Sequence, residues 1–391
     1  MNKRGTLIAG LLFAATVVTA AAGCSNTGAQ AASAADNKNL LELSFDDIVK
    51  EAQAEGEMSL WIWGDEAKWQ EVADGFEQKY GIKVSIMVSD KNTALNKVLA
   101  EKDGKGSIDV MGLPGDIINA MMDADVLYGQ VLDVMTHKDQ LDEGLCERFE
   151  GVEGDGQWVP IYKNYTGMLY NANEVTEDDL PQTWDELTQW IEAHPKKFGF
   201  CVPEKGGSGQ SMMQTVITNE TGGLEQYMSD REVDPAKTEK WDTVWGWIND
   251  HKDQITFTTS NADSISRMNQ GEITMTVAWD SSVSDSLEAG ELFKEIGFYI
   301  PEFGLVGGGD VQTVLKNAQH PAAGIVWLDY ITSDEGQNYM MDLMGCFPAR
   351  TDMEMTHTYL SAADLEKSVE WMPACYKAYY IDEFIKNVLV E

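Results

Sequence analysis

Short apolar runs alternate with helical periodicities over residues 44–122, and that alternation constrains the fold more than any other feature of the chain. Met58 to Trp63 reads as a strand buried on both faces. Gly64-Asp65 breaks it, and Trp69, Val72, Ala73, Phe76 and Tyr80 follow at helical spacing until Gly81. Ile82 to Val88 alternates as a second strand. Leu95, Val98 and Leu99 mark a helix, Ile108 to Met111 a third strand, and Ile117, Ile118, Met121 and Met122 the helix after it. Ahead of the first strand, Ser44 with Asp47 three residues on caps a helix carrying Ile48, Val49 and Ala52, and Gly56 stops it. Strand–helix–strand repetition predicts parallel pairing with right-handed crossovers, an α/β fold.

The pattern changes near Trp158. Trp158 to Tyr162 reads as extended, and Tyr165 to Tyr170 continues in the same style. Thr183-Trp184-Asp185-Glu186 is a capping box for a helix with Leu187, Trp190 and Ile191 inside. Phe198 to Val202 predicts a strand, and Gly206-Gly207-Ser208-Gly209 opens a helix containing Met213, Val216 and Ile217. Trp241, Val244, Trp245 and Ile248 form an amphipathic stripe, with the tryptophans expected in core. Ile273 to Ala278 is a further buried strand that ends at Trp279-Asp280-Ser281-Ser282, and Ile296 to Ile300 another. Pro321 suits the first turn of a helix lined by Ile325, Leu328 and Ile331. Trp371 to Leu389 has helical periodicity. Roughly 350 residues of globular composition exceed one ordinary core, so two lobes are expected.

The amino terminus has its own character. Met1-Asn2-Lys3-Arg4 is basic, Leu7 to Val18 is apolar, and Ala21-Ala22-Gly23-Cys24 closes with small residues and a cysteine. This predicts a signal peptide over 1–23 and a lipobox-like site, with Cys24 acylated. Residues 24–40, rich in Ala, Ser, Asn and Gly, read as a flexible tether. The expected product is exported and lipid-anchored at the outer face of the cell membrane, or on its periplasmic side. Net charge is −37, and loss of Lys3 and Arg4 leaves 26 basic against 65 acidic residues, a formal −39. Such a surface repels nucleic acid and anionic lipid. Cys146, Cys201, Cys346 and Cys375 remain after Cys24, allow three complete pairings, and form no CxxC pair.

Catalytic patterns are missing. Gly104-Lys105 lacks the preceding P-loop glycine because Leu99 stands there, and Gln210 replaces the last glycine of a GxSxG. The five histidines are scattered, without HExxH, and no EF-hand spacing occurs. No catalytic, metal or cofactor site is expected. Ligands of open α/β sheets bind beyond strand carboxyl ends, which selects Trp63, Asp65, Glu66 and Asp116. Tyr162, Tyr165 and Trp279 fall near further strand ends, and Asp280 follows. Flat aromatic faces stack on sugars or enclose cations, and the carboxylates supply hydrogen bonds or opposite charge. Gly207, Ser208 and Gly209 offer a helix N-terminus with unpaired N–H groups, or simply a strand-to-helix turn.

The lipobox start, Trp61-Ile62-Trp63 and Phe76 to Val84 resemble extracellular solute-binding proteins of ABC importers. Val159-Pro160, Leu169-Tyr170-Asn171, Pro181 to Leu187, Lys316-Asn317-Ala318 and Ser333 to Gln337 continue the resemblance in order across the chain. Asp125 to Gly129 and His194 to Phe198 look most like the thiamine-type branch of the maltose-, polyamine-, iron- and thiamine-binding cluster. The resemblance implies a two-lobed periplasmic-binding-protein-like fold with crossing strands near Tyr162 and near Ala278 and a central cleft. Lobe one would hold 41–161 plus 279–331, and lobe two 162–278 plus 332–391. It implies a monomer that captures a small polar solute, cationic or thiamine-like ahead of carbohydrate ahead of polyamine, and delivers it to permease subunits without chemistry. Tyrosines paired near the second crossover, as iron-binding members have, are missing beside Trp279. A secreted polysaccharide-active enzyme and a surface adhesin are the alternative readings.

Overall fold

The computed structural model describes residues 39–355 and 358–389. The expected signal at 1–23, the acylation site Cys24 and all but the last two residues of the expected tether lie outside them. Leu40 is already buried, in a short turn of helix over Leu40–Glu42. Twelve strands are present among the described residues: β1 (Glu57–Ile62), β2 (Lys83–Val88), β3 (Val110–Gly112), β4 (Arg148–Phe149), β5 (Val152–Glu153), β6 (Val159–Asn171), β7 (Phe198–Cys201), β8 (Ile255–Thr258), β9 (Met275–Trp279), β10 (Ile296–Tyr299), β11 (Gly307–Val314) and β12 (Phe347–Pro348). Except for the β4–β5 hairpin they form one ten-stranded sheet in the order β2-β1-β3-β11-β6-β9-β7-β8, with β10 and β12 also on β6.

The two ends of that sheet have the parallel pairing the sequence predicts. β1 lies parallel to β2 and β3, and β7 lies parallel to β8 and β9. Antiparallel β11 and β6 join the two halves. From Val159 to Tyr165, β6 pairs with β11; from Thr166 onward it pairs with β9, and from Met168 with β10. Pro160 has no N–H to give to a ladder. The register shifts opposite it, between Asp310 and Val311, where a bulge absorbs the mismatch.

Helix starts follow the capping signals. The Ser44 side chain accepts from the Asp47 N–H, and Thr183 and Glu186 form the expected capping box. Alternation along β1 sends Leu60 and Ile62 to one face and Trp61 to the other. Leu60 and Ile62 pack with Phe76, Trp327 and Tyr330, while Trp61 packs with Met111, Ile118 and Trp158. A separate core gathers Met168, Phe200, Trp241 and Val277 around β7 and β9. These cores make the two lobes.

Lobe membership differs from the expected division. Val283, Leu292, Phe298 and Leu305 pack with the Phe200 core, whereas Met340 and Ala349 pack with Leu60. The chain therefore returns to the first lobe where β11 begins, not near Ala278. Gly307-Gly308-Gly309 hides that strand from a hydrophobicity reading, and the buried run up to Ala278 is an internal strand of the second lobe. The four cysteines Cys146, Cys201, Cys346 and Cys375 are free thiols.

Trp327 is fully buried, stacks edge-on against Phe76 at 5.3 Å and donates its indole N–H to Gln312 Oε1 at 2.9 Å. Trp327→Ala leaves a cavity and an unpaired amide on β11. We expect it to lower unfolding free energy by about 3–5 kcal/mol, measured by urea denaturation.

Candidate functional site

Several strand carboxyl ends converge on one cavity of about 350 Å³. Trp63 follows β1, Trp279 ends β9, and Gly207 opens the helix Gly207–Thr221 after β7. Ser281 and Ser282 lie in the first turn of the helix Asp280–Glu288, and Asn261 opens Asn261–Asn269 after β8. The joining strands contribute Tyr162, Asn164 and Asp310. Trp371 and Lys377 come from the carboxyl-terminal segment and Glu150 from the β4–β5 turn. Placement beyond strand ends is the general rule for open α/β sheets.

Local packing explains why each ring sits there. Gly112 has no side chain, so the Trp63 ring lies against its backbone; a Cβ there would stand 2.4 Å from the ring. Gly207 does the same for Trp279, at 3.0 Å. Trp279 and Trp371 are 6.3 Å apart at 45°. The indole N–H groups of Trp61, Trp158, Trp184, Trp241, Trp247 and Trp327 all donate to protein atoms. Those of Trp63, Trp279 and Trp371 donate to nothing among the described residues, as is also true of Trp69, Trp190 and Trp245 away from the cavity; Trp371 is only 8 % exposed. The helices Gly207–Thr221 and Asp280–Glu288 also lack a side-chain cap. At the start of Gly207–Thr221 the Ser208 N–H donates to Asn261 Oδ1 at 3.3 Å and the Gly209 N–H to the Gly206 carbonyl at 3.1 Å, so what this helix start offers the cavity is the partial positive charge of its dipole. The unused side-chain donors at the cavity include its three indole N–H groups.

Its ionisable groups are mostly paired. Lys377 Nζ lies 2.8 Å from Glu150 Oε1 and 3.9 Å from the centre of the Trp371 ring. The Tyr162 hydroxyl donates to Asp310. Burial pushes the Asp310 carboxyl up to about 6, and the Glu150 charge adds to the rise against the opposing Tyr162 bond and Lys377. Burial beside Asp310 also lifts the Tyr162 phenol well above its ordinary value. Asn164 donates to Ser281 Oγ at 2.8 Å, tying β6 to the helix Asp280–Glu288.

Of the residues selected from sequence, Trp63, Tyr162, Gly207 and Trp279 line the cavity. Asp65 instead caps the helix Glu66–Tyr80 by accepting from the Ala67 N–H, and Glu66 is exposed in its first turn. Asp116 pairs with Lys91. Tyr165 packs edge-on against Phe347 at 4.8 Å. Ser208 turns inward and donates to Asn261 Oδ1 at 2.8 Å, and Gly209 is pressed against the Cys201 carbonyl. Asp280 is wholly buried; its Oδ1 accepts from the Thr358 hydroxyl and the Tyr359 N–H, and its Oδ2 has no partner. The carboxylates at the cavity are Glu150 and Asp310, which the sequence reading did not select. Nor did it select Asn164, Gln210, Asn261, Trp371 or Lys377. Only the Gly307–Gly309 run beside Asp310 could have signalled a close approach. Among the described residues no group of three or more His, Cys, Asp or Glu is placed to hold a metal, and no helix is long and apolar enough to cross a membrane.

Two α/β lobes joined by crossing strands, with a polar cleft at the strand ends, define a periplasmic-binding-protein-like fold. The chain belongs to the bacterial extracellular solute-binding protein family, whose model matches residues 71–367. Solved structures agree in fold. Iron-bound HitA from Pseudomonas aeruginosa is 18% identical with a TM-score of 0.62, covering 84% of this chain and 99% of its own. AfuA from Actinobacillus pleuropneumoniae, solved with fructose-6-phosphate, is 16% identical with a TM-score of 0.62, covering 86% and 99%. The spermidine/putrescine transporter's substrate-binding protein PotD from Streptococcus pneumoniae is 15% identical with a TM-score of 0.60, covering 85% and 98%. No curated protein matches the sequence.

Burial raises the Asp280 carboxyl to about 6, against its two hydrogen bonds. A carboxyl raised on folding favours the protonated native state. Its contribution is full below the unfolded value near 4 and is lost as pH rises through about 6. Asp280→Asn keeps an oxygen for Thr358 and Tyr359 and removes the charge. The variant should gain on the parent by about 2–3 kcal/mol between pH 4 and pH 7, read from urea unfolding at both values.

Proposed function

We propose that this chain is the substrate-binding component of an ABC importer, and that the cavity around Trp63, Trp279 and Trp371 takes a small, acceptor-rich organic solute of carbohydrate type. The observation that carries this reading is the set of three tryptophans from distant parts of the chain that meet at one cavity with their N–H groups unused. Flat indoles stack on sugar faces. Asn164, Gln210 and Asn261 place polar side chains around them. The fructose-6-phosphate found in AfuA shows a related fold holding a sugar ester.

Capture works by closure. One lobe comprises residues up to about 165 with 307–350; the other comprises the segment between and the carboxyl-terminal helix. Lys68 on the helix Glu66–Tyr80 meets Asp285 on Asp280–Glu288 at 2.9 Å, joining the lobes. Such an exposed pair is worth about 0–1 kcal/mol, so a solute touching both lobes supplies the remaining bias toward the closed form. A permease that reads the closed form completes import, with the solute chemically unchanged. Acylated Cys24 and the tether at 24–40 would hold the protein at the membrane as a monomer.

A cationic, thiamine-like ligand is the second reading. Its original support, Asp65 and Asp280, is engaged elsewhere, but Glu150 and Asp310 supply carboxylates at the cavity. The two readings differ in pH dependence. Asp310 ionises through about 6, so affinity for thiamine should rise from pH 5 to pH 7, while affinity for a neutral sugar should hold steady.

Tryptophan fluorescence titration with sugars, sugar phosphates, thiamine, spermidine and ferric citrate tests the proposal. A sugar or sugar ester should bind saturably, and Trp279→Ala should weaken it by at least about tenfold, or 1.4 kcal/mol. No response to any compound, or unchanged affinity in the variant, would refute it.

A further inference from the structure

The Glu150–Lys377 ion pair crosses from one lobe to the other. Glu150 lies in the turn between β4 and β5, where Phe149 and Val152 pack with Ile117 and Trp158 in the first lobe. Lys377 lies on the helix Ala374–Phe384, whose Tyr376, Tyr380 and Phe384 belong to the core of the second lobe. The segment leading into that helix is tied to the same lobe. Buried Gln214 accepts from the Met372 N–H at 2.8 Å and donates to the Glu370 carbonyl at 2.7 Å. Each partner is thus fixed to its own lobe.

The surrounding contacts cross with the pair. The Ala374 N–H donates to the Glu150 carbonyl at 3.3 Å. Gly151 presses on Pro373, where a Cβ would stand 3.0 Å from the proline Cα. The Glu150 carboxylate itself rests on Gly115, and a Cβ there would overlap it. Gly115 opens the helix Gly115–Asp123, which has no side-chain cap, so the anion lies at the positive end of that helix. Lys377 Nζ sits over the Trp371 ring at 3.9 Å, and Glu150, Lys377 and Trp371 all line the cavity.

The pair is well removed from water, with Glu150 5 % and Lys377 11 % exposed at the side chain. Removing one partner leaves the other charge buried and unanswered, which costs far more than removing both. Parting the lobes returns the facing surfaces to water and cancels that penalty. The pair therefore acts on the balance between open and closed forms.

We propose that Glu150 is a positioning residue for solute capture: as the lobes close, its carboxylate receives Lys377 and seats Trp371 against the cavity. This rests on the solute-binding reading of the cleft. The closed form tolerates both charges or neither, but not one alone. With both present, the Ala374–Glu150 bond and the Gly151–Pro373 contact keep it populated before a solute arrives.

Lys68 and Asp285 meet across the cleft at 2.9 Å and share no residue with the Glu150 cluster, so they report closure independently. A carbodiimide joins such a pair as an amide, and mass spectrometry of the digested protein measures the yield. The ligand-free parent should give the Lys68–Asp285 cross-link. Glu150→Gln and Lys377→Met should each lower its yield by at least about tenfold, and the double variant should regain most of it. In the fluorescence titration, compounds that bind the parent should bind each single variant at least about tenfold more weakly. A purely structural pair would instead lower the urea midpoint of the single variants and leave the cross-link yield of the folded protein unchanged. The proposal is overturned by a parent without the cross-link, by single variants that are unfolded in circular dichroism or that cross-link or bind as the parent does, or by a double variant no better than they are. The expected cross-links with silence toward every compound would refute the solute-binding reading and leave the lobe-crossing pair in place. Saturable solute binding with unchanged cross-links would refute the role of Glu150 alone.

Discussion

Strand β6 is held by different partners at its two ends, and the rest of the architecture depends on that division. Its first half completes the ladder of β11 and its second half the ladders of β9 and β10. A buried backbone group without a partner is costly, so neither ladder can be given up when the lobes move. Closure of the kind proposed would bend the strand where the pairing changes, at Tyr165–Thr166. The bulge beside Pro160 lies a few residues away, and Tyr162 and Asp310, which bond across the two joining strands, form part of the cavity wall. The strands that join the lobes thus also form part of the cavity wall.

Charge at the cleft is largely spent inside the protein. Lys377 answers Glu150, and Tyr162 answers Asp310. What remains unspent is mainly the donor capacity of three indoles. A site of this kind gains most from solutes with many oxygen acceptors and a flat face. The overall acidity of the chain therefore says little about the cleft, since most of its carboxylates lie on the outer surface or pair with neighbours such as Lys91 at Asp116.

Much of this was legible in the sequence. Local signals were reliable where one interaction decides the outcome: the Thr183–Glu186 capping box, the alternation in β1, and the tryptophans placed at strand ends. Trp63 and Trp279 reached the cavity because a strand end fixes where the next residue goes. Carboxylates were harder to place, because a helix start needs an acceptor as much as a ligand does. Asp65 serves its own helix for that reason, and Asp280 turns into the protein toward Thr358 and Tyr359. The lobe boundary was displaced because β11 begins with three glycines, which carry no hydrophobic signal. Glu150, Trp371 and Lys377 could not be joined from sequence, since only the packing of the carboxyl-terminal helix beside Glu150 brings them together.

That last wall has a temporal consequence. Trp371 and Lys377 lie within the final twenty-one residues of this sequence, and the helix Ala374–Phe384 buries Tyr376 and Tyr380 in the second lobe's core. A polypeptide emerging amino end first can begin its leading lobe early, but that lobe's core is completed only by Trp327 and Tyr330, after the chain has run through the second lobe. The cavity wall is closed only when the segment carrying Trp371 and Lys377 has packed, so until then Trp63 and Trp279 face a space open on that side.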